Sequence, residues 1–357
     1  MGKAFFVVSG DIETQTGGYI YDRRVIAELE SFGWSIELLS LSSNFPRPTE
    51  VDLSETRQIF EKLEPDTPLI IDGLVYGSLT TEVIGSLRSP IIVLVHHPLA
   101  EEKGLPETEQ QRLLTTELEN LQFAQKIITP SNHVAEVLMD KYSVNKEKLI
   151  VAKPGLDIQP VEQSPVSPAL ILSVGIQTHR KGHDTLIRAF SLITDLEWQA
   201  VIVGLERDPK YAQKLQKLRA DLELEPRVEI LGEVPQSKLS ELYSKASVFA
   251  LATRNEGYGM VFDEAMSFGL PIVSCNVGAV TETVGDKAGL FVEEDSAEQF
   301  ATALRTVLTN PSDRAQMAAA AKTRVESKSS WSETANVFAR VLSRLKESGS
   351  GEESGNK

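Results

Sequence analysis

Two carboxylates, Glu256 and Glu264, lie on either side of the start of a helix, which is expected at about Gly259. The apolar run 247–252 predicts a buried strand before them, and the glycine-containing segment that follows it predicts a loop. Glu264 lies five residues past Gly259, so at about 1.5 Å per residue it is expected roughly 7 to 8 Å along the helix. The two acids are therefore expected at different heights beside one helix N-terminus.

The backbone N–H groups of Gly259, Met260 and Val261 are expected between the two acids. Unpaired N–H groups at a helix N-terminus suit a phosphate. A nucleotide diphosphate-sugar has parts in the matching order, namely a ribose diol, a diphosphate and a sugar. Glu264 could accept hydrogen bonds from the ribose hydroxyls while Glu256 contacts the hexose. The alternative is that Glu256 only decorates a loop and that Glu264 is solvated.

Two cations precede a second helix start. Arg180 and Lys181 follow the strand predicted over 169–175, at a helix end where the macrodipole disfavours a cation by about 0.3 to 1 kcal/mol. A bound anion would explain them, and a diphosphate leaving group gains negative charge as its bond to the sugar breaks. Solvated loop charges are the alternative.

The first half of the chain offers two histidines and a glycine pair. His96 and His97 follow the strand predicted over 91–95, and ligands of open parallel sheets gather outside the carboxyl ends of the strands. Either imidazole could bond to a sugar hydroxyl or to an acceptor, or could be satisfied by backbone alone. Gly17 and Gly18 precede a predicted helix, where they either bring N–H groups close to a ligand or form a flexible connector.

Apolar runs that predict strands alternate along the chain with segments that predict helices. This alternation implies right-handed crossovers and parallel sheets, and therefore an α/β fold. The proline-containing segment 158–168 predicts a linker between two domains. The Ser, Gly and Glu residues of 347–357 predict a disordered tail.

Composition narrows the possible partners. The 357 residues, of which 41% are hydrophobic, suffice for two ordinary cores. A net charge of -15 argues against a nucleic-acid partner, and no Lys/Arg cluster suits an anionic membrane, so at most weak membrane association is expected. Cys275, the single cysteine, excludes an internal disulfide framework. Because Ala4–Val8 is too short for a signal peptide or a span, a cytoplasmic protein is expected.

The segment around the two acids resembles the signature of the retaining nucleotide-sugar glycosyltransferases of family 4. That signature has Glu, seven residues and Glu, with Gly-aromatic-Gly after the first acid and Glu-Ala-Met-x-x-Gly-x-Pro around the second. The matching residues are Glu256, Gly257, Tyr258, Gly259, Glu264, Ala265, Met266, Gly269 and Pro271.

The resemblance implies the GT-B architecture, in which two Rossmann-like, doubly wound parallel-sheet domains face a cleft. The acceptor-side domain would span 1–158, with a C-terminal helix of about 331–346 crossing back to it, and the donor-binding domain would span 159–330. The implied activity is transfer of a hexose, with retained configuration, from a UDP- or GDP-sugar to a hydroxyl of a glycan or small molecule. Since no Asp-x-Asp motif follows a strand, no cofactor or essential metal is expected.

The resemblance also assigns residues. It implies catalytic roles for Glu256, His96 and Lys181. The implied donor-binding residues are Gly17, Gly18, Arg180, Lys181, Val234, Gly257, Tyr258, Gly259, Met260, Val261 and Glu264. One position departs from the family pattern, because Ile176 stands where an arginine usually contacts the phosphate. Either Arg180 compensates for it or the phosphate clamp is weaker.

Two other functions fit the same architecture. A nucleotide-sugar epimerase would turn over the donor without an acceptor and normally carries extra carboxylates and histidines on its first domain, of which only His96 and His97 give a hint. A non-enzymatic sugar-binding protein would bind free sugar and be indifferent to nucleotide.

Overall fold

The computed structural model describes residues 2–158 and 161–352. These described residues form two compact units. The first unit runs up to Gly155 and resumes at Ser329, and the second is Leu156–Lys328. The sequence-based boundaries lay near residues 158 and 330.

The first unit contains a six-stranded parallel sheet. Its elements in chain order are β1 (Gly2–Ser9), α1 (Gly17–Ser31), β2 (Trp34–Leu41), α2 (Glu50–Phe60), β3 (Leu69–Asp72), α3 (Gly73–Tyr76), α4 (Thr81–Gly85), β4 (Ile91–Leu94), α5 (Glu107–Asn120), β5 (Lys126–Thr129), α6 (Asn132–Tyr142) and β6 (Leu149–Val151). The strand order is β2-β1-β3-β4-β5-β6. Every residue of β3 and β4 is buried, as expected for strands covered on both faces of a parallel sheet.

The second unit repeats this plan. Its elements are β7 (Ala169–Val174), α7 (His183–Ser191), β8 (Trp198–Val203), α8 (Pro209–Asp221), β9 (Val228–Leu231), α9 (Gln236–Lys245), β10 (Val248–Leu251), α10 (Met260–Ser267), β11 (Ile272–Cys275), α11 (Val280–Val284), β12 (Gly289–Val292), α12 (Ala297–Thr309) and α13 (Pro311–Glu326). The strand order is β12-β11-β10-β7-β8-β9, and every pairing is parallel. The predicted α/β class with two Rossmann-like sheets is confirmed.

The strand order of each sheet determines which loops become neighbours. In the second unit β7 pairs with β10, so the loops that follow these two strands lie side by side although they are far apart in sequence. In the first unit β1, β3 and β4 are adjacent. Their carboxyl ends therefore gather the residues that follow each strand, and such points of strand-order reversal are where open α/β sheets bind ligands.

Two predicted elements differ from the structure. The pattern of residues 78–87 predicts one helix, but the structure has only the short helix α4 in that range. The Asp72 carboxylate accepts the Leu74 N–H and starts a separate short helix, α3, directly after β3, and α3 ends before Gly77. The last helix, α14 (Trp331–Glu352), continues past its predicted end near residue 346. No proline interrupts it, and the rest of the predicted disordered tail, 353–357, lies outside the described residues.

Among the described residues, no helix combines the length and the apolar composition that crossing a bilayer requires.

Candidate active site

A glycine brings two loops of the second unit into contact. Gly182 has a φ of +62°, and a Cβ added to it would lie 1.8 Å from the carbonyl oxygen of Ala252. Only glycine fits a left-handed backbone position at so close an approach. This contact holds the loop after β7, which carries Arg180 and Lys181, against the loop after β10, which carries Glu256.

Lys181 and Glu256 form a buried ion pair at that junction. The Lys181 Nζ lies 2.6 Å from Glu256 Oε1, and the Thr253 hydroxyl donates to the same oxygen at 2.9 Å. Arg180 Nη1 lies 3.6 Å from Glu256 Oε2. Burial raises the pKa of Glu256, but the charges of Lys181 and Arg180 outweigh burial and hold the pKa below its ordinary value. The carboxylate is therefore ionised, and it neutralises cations that were predicted to hold a phosphate.

Arg254 also stabilises this junction of the two loops, and its role was not predicted from the sequence. Its guanidinium is 5% exposed and lies 3.0 Å from Asp184 Oδ1 and 2.6 Å from Asp295 Oδ1. Burial raises the pKa of Asp184, but the Tyr211 hydrogen bond and the Arg254 charge together pull it well below its usual range. The partners of Arg254 are distant in sequence, so no local pattern marks them.

The start of α10 completes the predicted anion site. Gly259 precedes the helix with a φ of +86°, and Met260 and Val261 form its first turn, half-buried. The Ala279 N–H donates to the Glu256 carbonyl at 2.9 Å, which fixes the backbone before the helix. The structure thus brings the predicted residues 257–261 together with Lys181 and Glu256, while Val234 lies half-buried at the end of the loop after β9.

Glu264 lies in the second turn of α10, where the sequence predicted it. It is half-buried, and its Oε2 accepts a hydrogen bond of 2.9 Å from the Tyr243 hydroxyl. Burial raises the pKa of Glu264, the Tyr243 hydrogen bond lowers it, and the charges of Asp263 and Asp157 raise it again, so that the net pKa lies above the ordinary value. Tyr243 was not predicted, because α9 offers no motif that distinguishes it.

The side chain of Tyr258 packs into the interior of the second unit. It is 6% exposed, and its hydroxyl donates to Asp263 Oδ2 at 2.7 Å. Lys328 forms an ion pair of 2.8 Å with Asp263 and lies over the Tyr258 ring. The aromatic position of the motif therefore packs inward to support α10, and Tyr258 can contact a donor only through its backbone.

A second cluster lies at the carboxyl ends of the strands of the first unit. His96 Nε2 lies 3.0 Å from Asp22 Oδ1 and 3.5 Å from Asp72 Oδ2. Asp22 comes from α1 and is fully buried, and Asp72 ends β3. His97 instead pairs with Glu102 at 3.0 Å. Neither aspartate was predicted as a site residue, because only the adjacency of β1, β3 and β4 brings them to the histidine.

Charge is not balanced in this cluster. Burial, together with the charge of Asp22, raises the pKa of Asp72 to about 7, against the opposing charge of His96. Burial lowers the pKa of His96, but the charge and hydrogen bond of Asp22 bring it above the ordinary value. Two acids thus share one imidazole, and ligand atoms of all three residues lie within 4.8 Å of one another. The cluster takes up a proton near neutral pH, and it is also the described group that could hold a cation.

The predicted glycine pair lies beside His96. A Cβ added to Gly18 would lie 3.4 Å from His96 Cδ2, whereas a Cβ added to Gly17 would meet nothing within 4 Å. Gly17 is the first residue of α1, which Thr16 caps. The structure therefore places Gly17, Gly18 and His96 together, with open space where a side chain of Gly17 would lie.

Comparison with known proteins bears on both units. Residues 157–324 match the family model "Glycosyl transferases group 1". A "D-inositol 3-phosphate glycosyltransferase" of Kineococcus radiotolerans is 27% identical over 250 residues, which are 62% of this chain and 57% of the relative. A "GDP-mannose-dependent monoacylated alpha-(1-6)-phosphatidylinositol monomannoside mannosyltransferase" of Corynebacterium glutamicum is 32% identical over 161 residues, which are 43% of this chain and 41% of the relative. The chain thus spans less than two thirds of the length of these two relatives.

Solved structures resemble the whole chain in fold. A sucrose-phosphate synthase of Thermosynechococcus elongatus superposes with a TM-score of 0.82 at 18% identity, covering 98% of this chain and 100% of that one. The Anabaena protein HepE in complex with UDP-glucose gives a TM-score of 0.76 at 18% identity, covering 96% and 99%. The sequence of the second unit therefore resembles that of the glycosyl transferases group 1, and both units have the α/β fold of GT-B glycosyltransferases.

Proposed function

We propose that this protein is a retaining glycosyltransferase of family 4 that moves a hexose from a UDP- or GDP-sugar to a hydroxyl acceptor. The family match of the second unit supports the reaction class. The names of a GDP-mannose-dependent relative and of a structure with bound UDP-glucose support a nucleotide diphosphate-sugar as donor. We further propose that the acceptor is a glycan or small molecule and that the reaction takes place in the cytoplasm.

The observation that carries the proposal is the buried Lys181–Glu256 ion pair of 2.6 Å, which shares one junction with the start of α10. Without a donor, Glu256 satisfies the lysine. A diphosphate at the N–H groups of residues 259–261 would offer Lys181 a second anion, and Glu256 could then accept hydrogen bonds from the hexose hydroxyls. In the absence of a donor, the ion pair with Glu256 thus keeps Lys181 in position and avoids an unpaired buried charge.

The same residues account for the chemical step. Breaking the glycosidic bond transfers the electron pair of that bond to the departing phosphate oxygen. Lys181, Arg180 and the N–H groups of α10 would stabilise this charge as it develops. The acceptor hydroxyl would attack from the same face and give its proton to that phosphate oxygen, so configuration is retained without a protein nucleophile. Because these groups supply the positive charge, we propose that no metal is essential.

The remaining predicted residues fit the two ends of the donor and the acceptor side. Glu264 would accept hydrogen bonds from the ribose, while Val234 and the backbone of Gly257 and Tyr258 would line the donor. We propose that Gly17, Gly18 and His96 of the first unit contact the phosphate and a sugar or acceptor hydroxyl during transfer.

The test begins with thermal unfolding in the presence of UDP, GDP or ADP, followed by the sugars of the nucleotide that stabilises. One nucleoside diphosphate is expected to raise the midpoint, and Lys181→Ala or Glu264→Ala to abolish the rise. NMR of the product formed with a panel of hydroxyl acceptors should show the anomeric configuration of the donor, with EDTA leaving the rate unchanged. An inverted product would contradict retention, and indifference to every nucleotide would overturn the proposal.

The buried cluster of Asp22, Asp72 and His96 favours a second candidate, a nucleotide-sugar epimerase. Two acids and a histidine could remove and return a proton on the sugar. An epimerase would convert the donor sugar in the absence of any acceptor, and Asp22→Asn would stop that conversion. A transferase requires the acceptor. A sugar-binding protein would instead bind free hexose and ignore the nucleotide.

A further inference from the structure

Tyr243 is the residue that fixes the position of Glu264. The tyrosine lies in the last turns of α9 and is fully buried, and its hydroxyl donates to Glu264 Oε2 at 2.9 Å. Its ring stacks on that of Phe268, with centroids 5.2 Å apart and an interplanar angle of 18°. Phe249 stacks on it as well, at 6.2 Å. Rings packed in this way leave the phenol a single orientation, so its hydroxyl is a rigid donor.

This hydrogen bond divides the Glu264 carboxylate into two unlike oxygens. Oε2 is held by the protein, whereas Oε1 has no hydrogen-bond partner within residues 2–158 and 161–352. The side chain is half-buried, so a ligand can reach the carboxylate. An ionised carboxylate only accepts hydrogen bonds, and the oxygen left to a ligand therefore selects for a hydroxyl donor.

We propose that Tyr243 is a positioning residue that makes the donor site selective for ribonucleoside diphosphates over their 2′-deoxy counterparts, by holding Glu264 so that Oε1 accepts from the ribose diol. This inference rests on the proposed function, because it assumes that the nucleotide lies along α10. A site built to bond a hydroxyl rejects the analogue that lacks it, since the polar group of the site is then left unpaired.

Tyr243 also keeps Glu264 in the form that accepts. Burial raises the pKa of Glu264, and the Tyr243 hydroxyl opposes this rise by bonding to the charged form. Asp263 and Asp157 face the same carboxylate, and their charges add to the rise. Removing the hydroxyl therefore raises the pKa further, so Glu264 becomes protonated at a higher pH and loses acceptor strength there.

The experiment compares the parent chain with Tyr243→Phe, which keeps the stacked ring. Affinities are measured by calorimetry for whichever of UDP, GDP or ADP stabilises the parent, and for the corresponding 2′-deoxynucleoside diphosphate. The parent is expected to prefer the ribonucleotide by about tenfold. In Tyr243→Phe this preference falls to about threefold or less, mainly because the ribonucleotide binds more weakly. As pH is lowered, ribonucleotide affinity declines at a higher pH in the variant than in the parent.

Tyr21→Phe is the matched control. Tyr21 is equally buried, but its hydroxyl donates at 2.8 Å to a backbone carbonyl, that of Ala152, in the first unit. The control should lose stability without changing the ribose preference. Glu264→Gln provides the test if Tyr243→Phe does not fold, and the preference should disappear in it. A parent that binds no nucleoside diphosphate would defeat the proposed function, whereas an undiminished preference in Tyr243→Phe would overturn this inference alone.

Discussion

The two units have the same arrangement of sheet and helices, but their buried clusters have opposite excesses of charge. In the second unit one acid, Glu256, faces two cations, Lys181 and Arg180, and ion pairing keeps the acid ionised. In the first unit two acids, Asp22 and Asp72, face one imidazole, and a pKa near 7 for Asp72 follows from burial and like charge. The comparison teaches that residues at the carboxyl ends of the strands can favour an anion where cations are in excess, or a proton where acids are in excess.

Lys181→Ala is expected to have the largest effect on this comparison, because it turns a balanced site into one with an acid in excess. Activity should fall by about 100-fold or more, since the leaving phosphate loses its closest cation. The free energy of unfolding should fall by about 3 kcal/mol, because Glu256 loses its ion-pair partner while remaining buried. Sugar-transfer assays and urea unfolding measure the two effects.

The matched control for that variant is Lys217→Ala. Lys217 lies in the same unit and pairs with Asp221 at 2.7 Å, but its side chain is 74% exposed. Both activity and stability should remain close to those of the parent. If Lys217→Ala lost as much activity and stability as Lys181→Ala, the effect would come from removing a lysine charge in general and not from the buried ion pair.

Gly182→Ala tests the contact that brings the cations to Glu256. The added Cβ would lie 1.8 Å from the Ala252 carbonyl oxygen at a φ of +62°, so stability is expected to fall by about 3 kcal/mol. Gly232→Ala is the control, because a Cβ at Gly232 meets nothing within 4 Å. Urea titration measures the free energy of unfolding of both variants. A Gly182→Ala protein as stable as the parent would contradict the close approach of the two loops.

Asp72→Asn tests the proton-binding character of the first unit. The folded chain holds a proton on Asp72 up to a pH of about 7, whereas an unfolded aspartate releases it near about 4. The Asp72 contribution is therefore fully present below about 4 and is lost as pH rises through about 7. Relative to the parent, Asp72→Asn should gain up to about 4 kcal/mol between pH 4 and 8, because each unit of difference between the folded and unfolded pKa corresponds to about 1.4 kcal/mol.

Chemical denaturation at several pH values measures that gain, with Asp221→Asn as the surface control. Asp221 is an exposed acid paired with Lys217, so its replacement should give a difference that hardly changes with pH. A pH-independent difference for Asp72→Asn as well would mean that Asp72 does not bind a proton near neutral pH, and the contrast between the two clusters would disappear.

Gly17→Ala is expected to have the smallest effect, and it sharpens the comparison by asking whether the first unit contributes to anion binding. The added Cβ meets nothing within 4 Å, so stability should be unchanged or higher by up to about 1 kcal/mol. The Cβ would nevertheless keep a phosphate away from the helix N–H groups, weakening nucleoside diphosphate binding by about threefold. Calorimetry measures this, and unchanged affinity would leave diphosphate binding to the second unit alone.

The sequence predicted what depends on local pattern. Apolar runs such as that before His96 predicted strands, their alternation with helices predicted parallel sheets, and the motif around Glu256 and Glu264 predicted where α10 begins. The role of Gly182 depends on the close approach of the Ala252 carbonyl, which only the fold shows. Local sequence patterns therefore predicted the helices and strands and the positions of the candidate residues along them.

The sequence could not predict which side chains pair with the candidate site residues. Lys181 and Glu256 are distant in sequence, and only the pairing of β7 with β10 joins them. Asp22 and Tyr243 lie inside ordinary helices, where nothing in the spacing distinguishes a buried acid or phenol from a solvated one. The inward packing of the Tyr258 ring could not be predicted either, because its partner Asp263 is not marked by the motif; its contact with the donor stays a prediction.

The path of the chain through its first unit has a consequence for how the protein is made. That unit contains α1 and also α14, whose Trp331 lies edge-on to Tyr21 with ring centroids 5.5 Å apart and whose Phe338 is fully buried. During synthesis every residue of the second unit emerges before α14 does. The apolar face of α1 that α14 covers is therefore exposed while the second unit emerges, so the unit that is translated later is the first for which all residues are available to fold.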